Sequence, residues 1–294
     1  MLRILDKNKV PVKGLKKYTD LCIESALELD DRTLSFSAPY RNIRNAIENE
    51  GYIETKDDRY VVKEIEKTSG GTAKIRAQLD LESLEGKAFR EFRSEEQTIR
   101  NALQLAFAGT GWTIGICEVS KKRTLSMSNA SALDVLKQAL KTYRCEITIN
   151  SKDQIIHIYT SVGEDKGCYF SNQLNLTKLT VQSTSYDFYT EIEPYGKDGL
   201  TIESVNDGKT YLENHQYSSK VKRCIWKDER YTVPESLKED AEAKLKDMSK
   251  PYVSYSANVI DLAKHSEKYS ILEYDIGDTV TLLDDLTDTR HKTV

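Results

Sequence analysis

No run of apolar residues in this sequence approaches the roughly 20 that cross a bilayer as a helix. The opening stretch from Met1 to Asp6 turns polar too soon for a secretory leader. Histidine is scarce: His157, His215, His265 and His291 are the full set, no two stand at metal-ligand spacing, and HExxH is absent. GxSxG is absent as well. The five cysteines, Cys22, Cys117, Cys145, Cys168 and Cys224, are odd in number, widely spaced and without a CxxC pair. They support neither a zinc knuckle nor a redox motif, and they fit synthesis in a reducing cytosol. The sequons at Asn129 and Asn175 then carry little weight. Lys and Arg are scattered among Asp and Glu with no basic block, and the net charge is −4. Nothing in that balance calls for a nucleic-acid partner.

What is present describes a modular protein. A length of 294 residues fits two or three domains. With 38% hydrophobic and 31% charged residues, several small lobes are expected over one large core. Tyr outnumbers Phe by 17 to 6. Tyr suits half-wet strands, and it is also enriched at subunit interfaces.

Residues 1–88 read mostly as strands. Ile75, Ala77, Leu79 and Leu81 alternate with polar neighbours, and Gly70-Gly71 separates them from Tyr60-Val61-Val62 as a hairpin turn. A Gly-Gly pair can also cradle a phosphate, but no Lys-Ser/Thr follows and no helix opens after it, so the turn reading is far stronger. Residues 89–165 change period. Ser94-Glu95-Glu96-Gln97 reads as a capping box before Ile99, Ala102, Leu103, Ala106 and Phe107 at helical spacing, with Gly109 as the stop. A strand from Thr113 to Val119, a helix after Ser131 and a hairpin from Cys145 to Tyr159 complete a compact α+β lobe. Residues 171–233 return to strands, at Leu176 to Val181 and Phe188 to Ile192. A further hairpin is predicted around Asn206-Asp207-Gly208. A third helix is predicted over about 234–248, with Thr232 and Glu235 as its capping box and Pro234 in its first turn. Strands follow from Tyr252 to Val259 and from Ile271 to Leu283. The last residues, from Arg290 to Val294, read as a strand without a partner, so a fragment of a longer protein is expected.

The fold class expected is therefore α+β and β-rich, in several lobes. A β-rich domain of 1–88 with 166–205 is expected, then an inserted α+β subdomain at 89–165. A second β-rich region at 206–294 carries the helix and is truncated at its C-terminus. Strands near 171–200 are expected to complete the sheet of 1–88. No catalytic, cofactor-binding or metal-binding residue is assigned. His157 reads as a strand residue, Cys117 and Cys145 as buried thiols, and Glu95-Glu96 and Asp284-Asp285 as solvated or capping carboxylates. No nucleophile or base has a legible orienting partner.

The order of these segments resembles the N-terminal hub region of the phage tail-associated lysins, or prophage endopeptidase tail proteins. The resemblance runs along most of the chain. It rests on the stretch from Leu105 to Trp112 (LAFAGTGW), that from Glu193 to Leu200 (EPYGKDGL) and that from Val205 to Asn214 (VNDGKTYLEN). Pro251 to Tyr255 (PYVSY), Val259 to Leu262 (VIDL) and Ile276 to Val280 (IGDTV) complete the set. Each is also a plain helix stop, turn or strand, and none carries catalysis. The resemblance implies a hub-like architecture with β-barrel-like domains, in a structural protein of the virion tail tip made in the bacterial cytoplasm. It implies a homotrimeric ring that docks on the distal tail protein, meets the tape measure protein and passes phage DNA. Contact with the host surface would be indirect, and any cell-wall hydrolase activity would belong to C-terminal domains. The competing classes are a tail-associated peptidase or glycosidase and a secreted carbohydrate-binding β protein.

Overall fold

A computed structural model describes residues 1–27, 29 and 32–294. The chain divides into two compact units. The first holds Met1–Phe92, Thr98–Lys121 and Met127–Val162, and the second holds Arg93–Gln97, Lys122–Ser126 and Gly163–Val294. Strands predominate in both, as the composition leads one to expect.

The first unit opens with seven strands: β1 (Leu2–Leu5), β2 (Pro11–Leu15), β3 (Thr19–Glu24), β4 (Thr33–Pro39), β5 (Tyr52–Glu54), β6 (Arg59–Lys67) and β7 (Thr72–Leu79). They form one sheet in the order β2-β1-β5-β6-β7-β4-β3. Alternation places Ala73, Ile75, Ala77 and Leu79 of β7 inward, with Leu34, Phe36 and Ala38 of β4 beside them. Tyr60, Val61 and Val62 of β6 are all buried, as befits a central strand. The two edge strands, β2 and β3, are joined through residues 16–18 alone. That connection spans at most about 14 Å, whereas the edges of a flat seven-stranded sheet would stand about 29 Å apart. The sheet must therefore curl on itself into a barrel-like form. All seven strands come from residues 2–79. Among the described residues, the expected completion by strands near 171–200 is not seen, since this sheet holds β1–β7 alone.

The same unit continues through short helices α1 (Tyr40–Ile43) and α2 (Glu82–Glu85), then β8 (Ala88–Thr98), α3 (Ile99–Phe107), β9 (Thr113–Cys117), β10 (Lys122–Ser131), α4 (Ala132–Tyr143), β11 (Glu146–Asn150) and β12 (Ile155–Tyr159). Strands β8 and β10 form a two-stranded ribbon, of which Arg93–Gln97 and Lys122–Ser126 belong to the second unit. The Ser94–Gln97 capping box is a correction: those residues lie in β8, and the N-cap is Thr98, whose hydroxyl accepts from the Asn101 N–H. The predicted apolar face of α3 is buried as read. Helix α4 starts at a true capping box, Ser131 with Asp134. Both helices accompany the sheet β11-β12-β9, in which β12 and β9 run parallel. Trp112 is buried, and its indole N–H donates to Ser83 Oγ at 3.0 Å. The β11–β12 turn is fixed to the first sheet by Ser151, which is fully buried, accepts from the Arg59 N–H at 2.7 Å and meets Asp58 Oδ1 at 3.1 Å. β10 was not read from the sequence, because its inward positions include a charged residue, Arg123.

The second unit contains β13 (Cys168–Ser171), β14 (Leu176–Thr184), β15 (Glu191–Tyr195), β16 (Leu212–Glu213), β17 (Arg223–Lys227), α5 (Pro234–Met248), β18 (Tyr252–Val259), β19 (Val280–Asp284) and β20 (Thr289–Thr293). Sheet β13-β19-β20 and ribbon β14-β18 share one core of Cys168, Phe170, Leu176, Val280 and Leu282. Sheet β16-β15-β17 packs on α5 through Ile192, Ala241 and Leu245. Pro194 lacks an N–H, and β16 accordingly ends after pairing Glu191 and Ile192.

Four expectations change here. Thr232 does not cap α5, whose N-cap is Val233 with no side-chain bond, although Pro234 does open the helix. The Asn206–Gly208 turn is left-handed at Asp207 and Gly208, yet its flank Glu203–Val205 is a 3-10 turn and β16 pairs with β15. The strand over 271–283 shortens to β19, because Glu267–Leu272 is a 3-10 segment. The terminal strand has a partner, since β20 pairs with β19.

Candidate functional surfaces

The groups considered for catalysis are held in structural roles. His157 lies in β12 and its Nδ1 accepts from the Ile116 N–H at 2.9 Å. His291 stacks on Tyr255 with ring centroids 5.0 Å apart. Asp284 is buried and accepts from the Thr287 backbone and hydroxyl, closing a turn. Cys145 is buried, and desolvation pushes its thiol up to about 12, while burial also raises Cys168. Thiols so shifted are poor nucleophiles at neutral pH.

A cleft of about 560 Å³ lies within the second unit. It is lined by Arg93, Glu95, Glu96, Lys197, Glu229 and Arg230 among others. Two of its carboxylates are ion-paired, Glu95 with Arg93 and Glu229 with Lys227, and Glu96 accepts from the Thr124 hydroxyl at 3.2 Å. The Lys227 hydrogen bond holds Glu229 below the usual carboxylate range. A general acid of a glycosidase needs the opposite shift. Glu50, Asp134, Asp165, Asp261 and Asp278 are likewise lowered, each with a hydrogen bond as the first cause.

Two buried polar centres hold the second unit. Asp278 Oδ1 accepts from the Glu164 N–H at 2.8 Å, and its Oδ2 accepts from the Asp275 N–H and from Lys166 Nζ, each at 3.0 Å. Around Asp240, the Tyr231 hydroxyl donates to Oδ2, and Arg123 Nε stands 3.8 Å from the same oxygen. Burial and that carboxylate push the Tyr231 hydroxyl well above its ordinary range.

The surface offers edges rather than pockets. Val12 on β2, and Leu21 and Ile23 on β3, are exposed on the two margins of the seven-stranded sheet. Ile225 is 71% exposed on the edge strand β17, and Val181, Tyr252 and Val253 are exposed on the β14-β18 ribbon. Unpaired edges with apolar side chains are natural places for another chain to join.

Comparison with known proteins accounts for this arrangement. The prophage endopeptidase tail N-terminal domain matches residues 2–78, the prophage endopeptidase tail domain matches 88–160, and the prophage endopeptidase tail matches 164–293. The chain belongs to the prophage endopeptidase tail family. No curated protein matches it. Among solved structures, it is similar to the prophage tail protein gp18 from Listeria monocytogenes EGD-e, with a TM-score of 0.73 and 15% identity over 99% of this chain and 87% of that one. The 43 kDa tail protein of prophage MuSo2 from Shewanella oneidensis gives 0.70 and 11% identity, over 99% of this chain and 90% of that one. The tail protein from Neisseria meningitidis MC58 gives 0.65 and 9% identity, over 99% and 89%. At these identities the likeness is one of fold. The family places the chain among phage tail proteins, and its β-rich, lobed architecture is the one they share. Among the described residues, no helix is long and apolar enough to cross a membrane.

The sequence reading missed one cluster. Glu191, Glu213 and His215 converge, although Glu191 and Glu213 stand 22 positions apart in the chain.

Proposed function

We propose that this chain is a structural hub subunit of a phage tail tip, three copies of which close into a ring. The ring docks on the distal tail protein, meets the tape measure protein and gates the exit of DNA, while contact with the host surface is indirect. The observation that carries this reading is the curled seven-stranded sheet whose edge strands expose Val12, Leu21 and Ile23. Its margins β2 and β3 differ in sequence, so joining one to the other between copies is heterologous, and heterologous contacts that close make rings. The net charge of −4 suits a passage through which DNA slides without being held. Membership of a tail protein family supports the same place in the virion.

The word endopeptidase in the family's description raises a cell-wall hydrolase as the second reading. The downward-shifted carboxylates and the burial of Cys145 and Cys168 favour the structural role. Incubation of the purified chain with peptidoglycan is expected to release no soluble fragments. Light scattering over a wide concentration range is expected to show a monomer–trimer equilibrium. A stable two-fold dimer, or salt-sensitive DNA binding through a basic groove, would overturn the hub reading.

A further inference from the structure

A second cleft of the second unit is lined by charges that the chain itself leaves unpaired. Its volume of about 360 Å³ falls in the range of small-ligand clefts, about 300–1,000 Å³. Thr184 and Tyr252 enter it from the end of the β14–β18 ribbon, where they are direct cross-strand partners. Lys244, Asp247 and Met248 enter it from one face of the last turns of α5. Phe188 is buried and supplies apolar lining together with Met248. The Tyr189 N–H donates to the Met248 carbonyl at 2.9 Å, which ties the segment after β14 to the end of the helix.

Two independent features set this cleft apart. The first is aromatic exposure. Tyr252 lines the cleft and is 70% exposed. Tyr186, between the lining residues Thr184 and Asp187, is 92% exposed. Tyr217 is 63% exposed and meets Phe188 edge to face at 5.8 Å. The second is unused polarity. Among the described residues, Asp187, Asp247 and Lys250 make no side-chain hydrogen bond or ion pair, and Lys244 only lies over the Trp226 ring at 5.6 Å. The cleft beside Arg93 and Glu229 is different, because its charges pair with one another.

We propose that this cleft binds a neutral saccharide built of N-acetylhexosamine units. Two carboxylates and two ammonium groups line it, so its charges cancel and neither an anion nor a cation is favoured. A hydroxyl-rich ligand uses both kinds of group. Neighbouring sugar hydroxyls donate to the oxygens of Asp187 or Asp247, while Lys244 and Lys250 donate to hydroxyl and acetamido oxygens. The C–H face of a pyranose ring carries slight positive charge and stacks on the negative face of an exposed ring such as Tyr252. Phe188 and Met248 give the acetamido methyl an apolar place, which a plain hexose would leave unfilled. This goes beyond the hub reading, which needs no such cleft. Attachment stays with other tail proteins, and the glycan is met after it. The cleft is open and small, so the affinity expected is weak.

The test uses the full chain with diacetylchitobiose, the disaccharide of N-acetylglucosamine, as the probe in saturation-transfer NMR. A Kd on the order of 1 mM is expected, with the strongest transfer to the acetamido methyl protons. Lactose, which lacks that group, is expected to bind about tenfold more weakly. Tyr252→Ala and Asp187→Asn alter exposed side chains and are expected to fold, as circular dichroism will show. The first should weaken binding about fivefold and the second about tenfold. Glu95→Gln, in the other cleft, should bind as the parent does. Undiminished binding in both Tyr252→Ala and Asp187→Asn would overturn the assignment, as would no transfer to diacetylchitobiose at about ten times the expected Kd. Equal binding of lactose would overturn the acetamido part of it. None of these outcomes bears on the number of copies in the tail tip, so the hub reading stands or falls separately.

Discussion

Asp278 offers the sharpest link between a named bond and a measurable stability. Its carboxylate is 5% exposed and receives the Glu164 N–H, the Asp275 N–H and Lys166 Nζ. These bonds, with the Glu164 N–H first, hold its pKa below the ordinary carboxylate value. Asp278→Asn keeps the shape but turns one acceptor oxygen into an NH₂ group. One backbone N–H then faces a donor and goes unsatisfied. A lost hydrogen bond to a charged group costs about 1.5–3 kcal/mol. The Lys166 partner is 48% exposed, so it adds no more than about 1 kcal/mol. The variant should be less stable by roughly 2–4 kcal/mol at pH 7. The folded pKa is depressed, so this stability is fully present above the unfolded value of about 3.9 and is lost as pH falls through the folded value. The gap between parent and variant should therefore narrow as pH drops from about 5 towards 2. The two tryptophans fall one in each unit, Trp112 in the first and Trp226 in the second. A Trp112→Phe background leaves Trp226 as the reporter of urea unfolding of the second unit. A gap that does not change with pH would refute the assignment of this stability to the ionised carboxylate.

Three further outcomes follow from packing. Trp112→Ala deletes a buried ring and its bond to Ser83, and should destabilise the first unit by about 3–5 kcal/mol, read by circular dichroism. Gly163→Ala places a Cβ 2.2 Å from the Gly277 carbonyl carbon at a φ of +89°, and should cost about 3 kcal/mol or more in the second unit's urea transition. Asp240→Ala leaves the buried Tyr231 hydroxyl without its acceptor and removes one of the carboxylates beside Arg123, which keeps Glu239, and should cost about 1–3 kcal/mol by the same assay, more than Asp240→Asn.

Helical periodicity was legible because it is local. The buried faces of α3 and α5 and the hairpins at Gly70-Gly71 and at 150–153 follow from spacing within a dozen residues. The capping of α3 misled the reading because a Ser-x-x-Gln pattern also fits a strand, and Thr98 four residues on does the capping. Strand β10 escaped because Arg123 occupies an inward position that Asp240 and Glu239, far along the chain, help make tolerable. The curl of the first sheet follows from chain length once strand order is known, and strand order is not a local property. The same holds for Glu191 and Glu213, whose pairing depends on register between distant strands. Histidine spacing alone concealed that cluster, because only one of its three members is a histidine.

The hub account is tested most directly by imaging the tip of the assembled tail at a resolution that shows strands. The account predicts three copies of this chain around the tail axis, their seven-stranded sheets joined edge to edge about a central passage. A chain absent from the tip, or present in a number that is not a multiple of three, would contradict it.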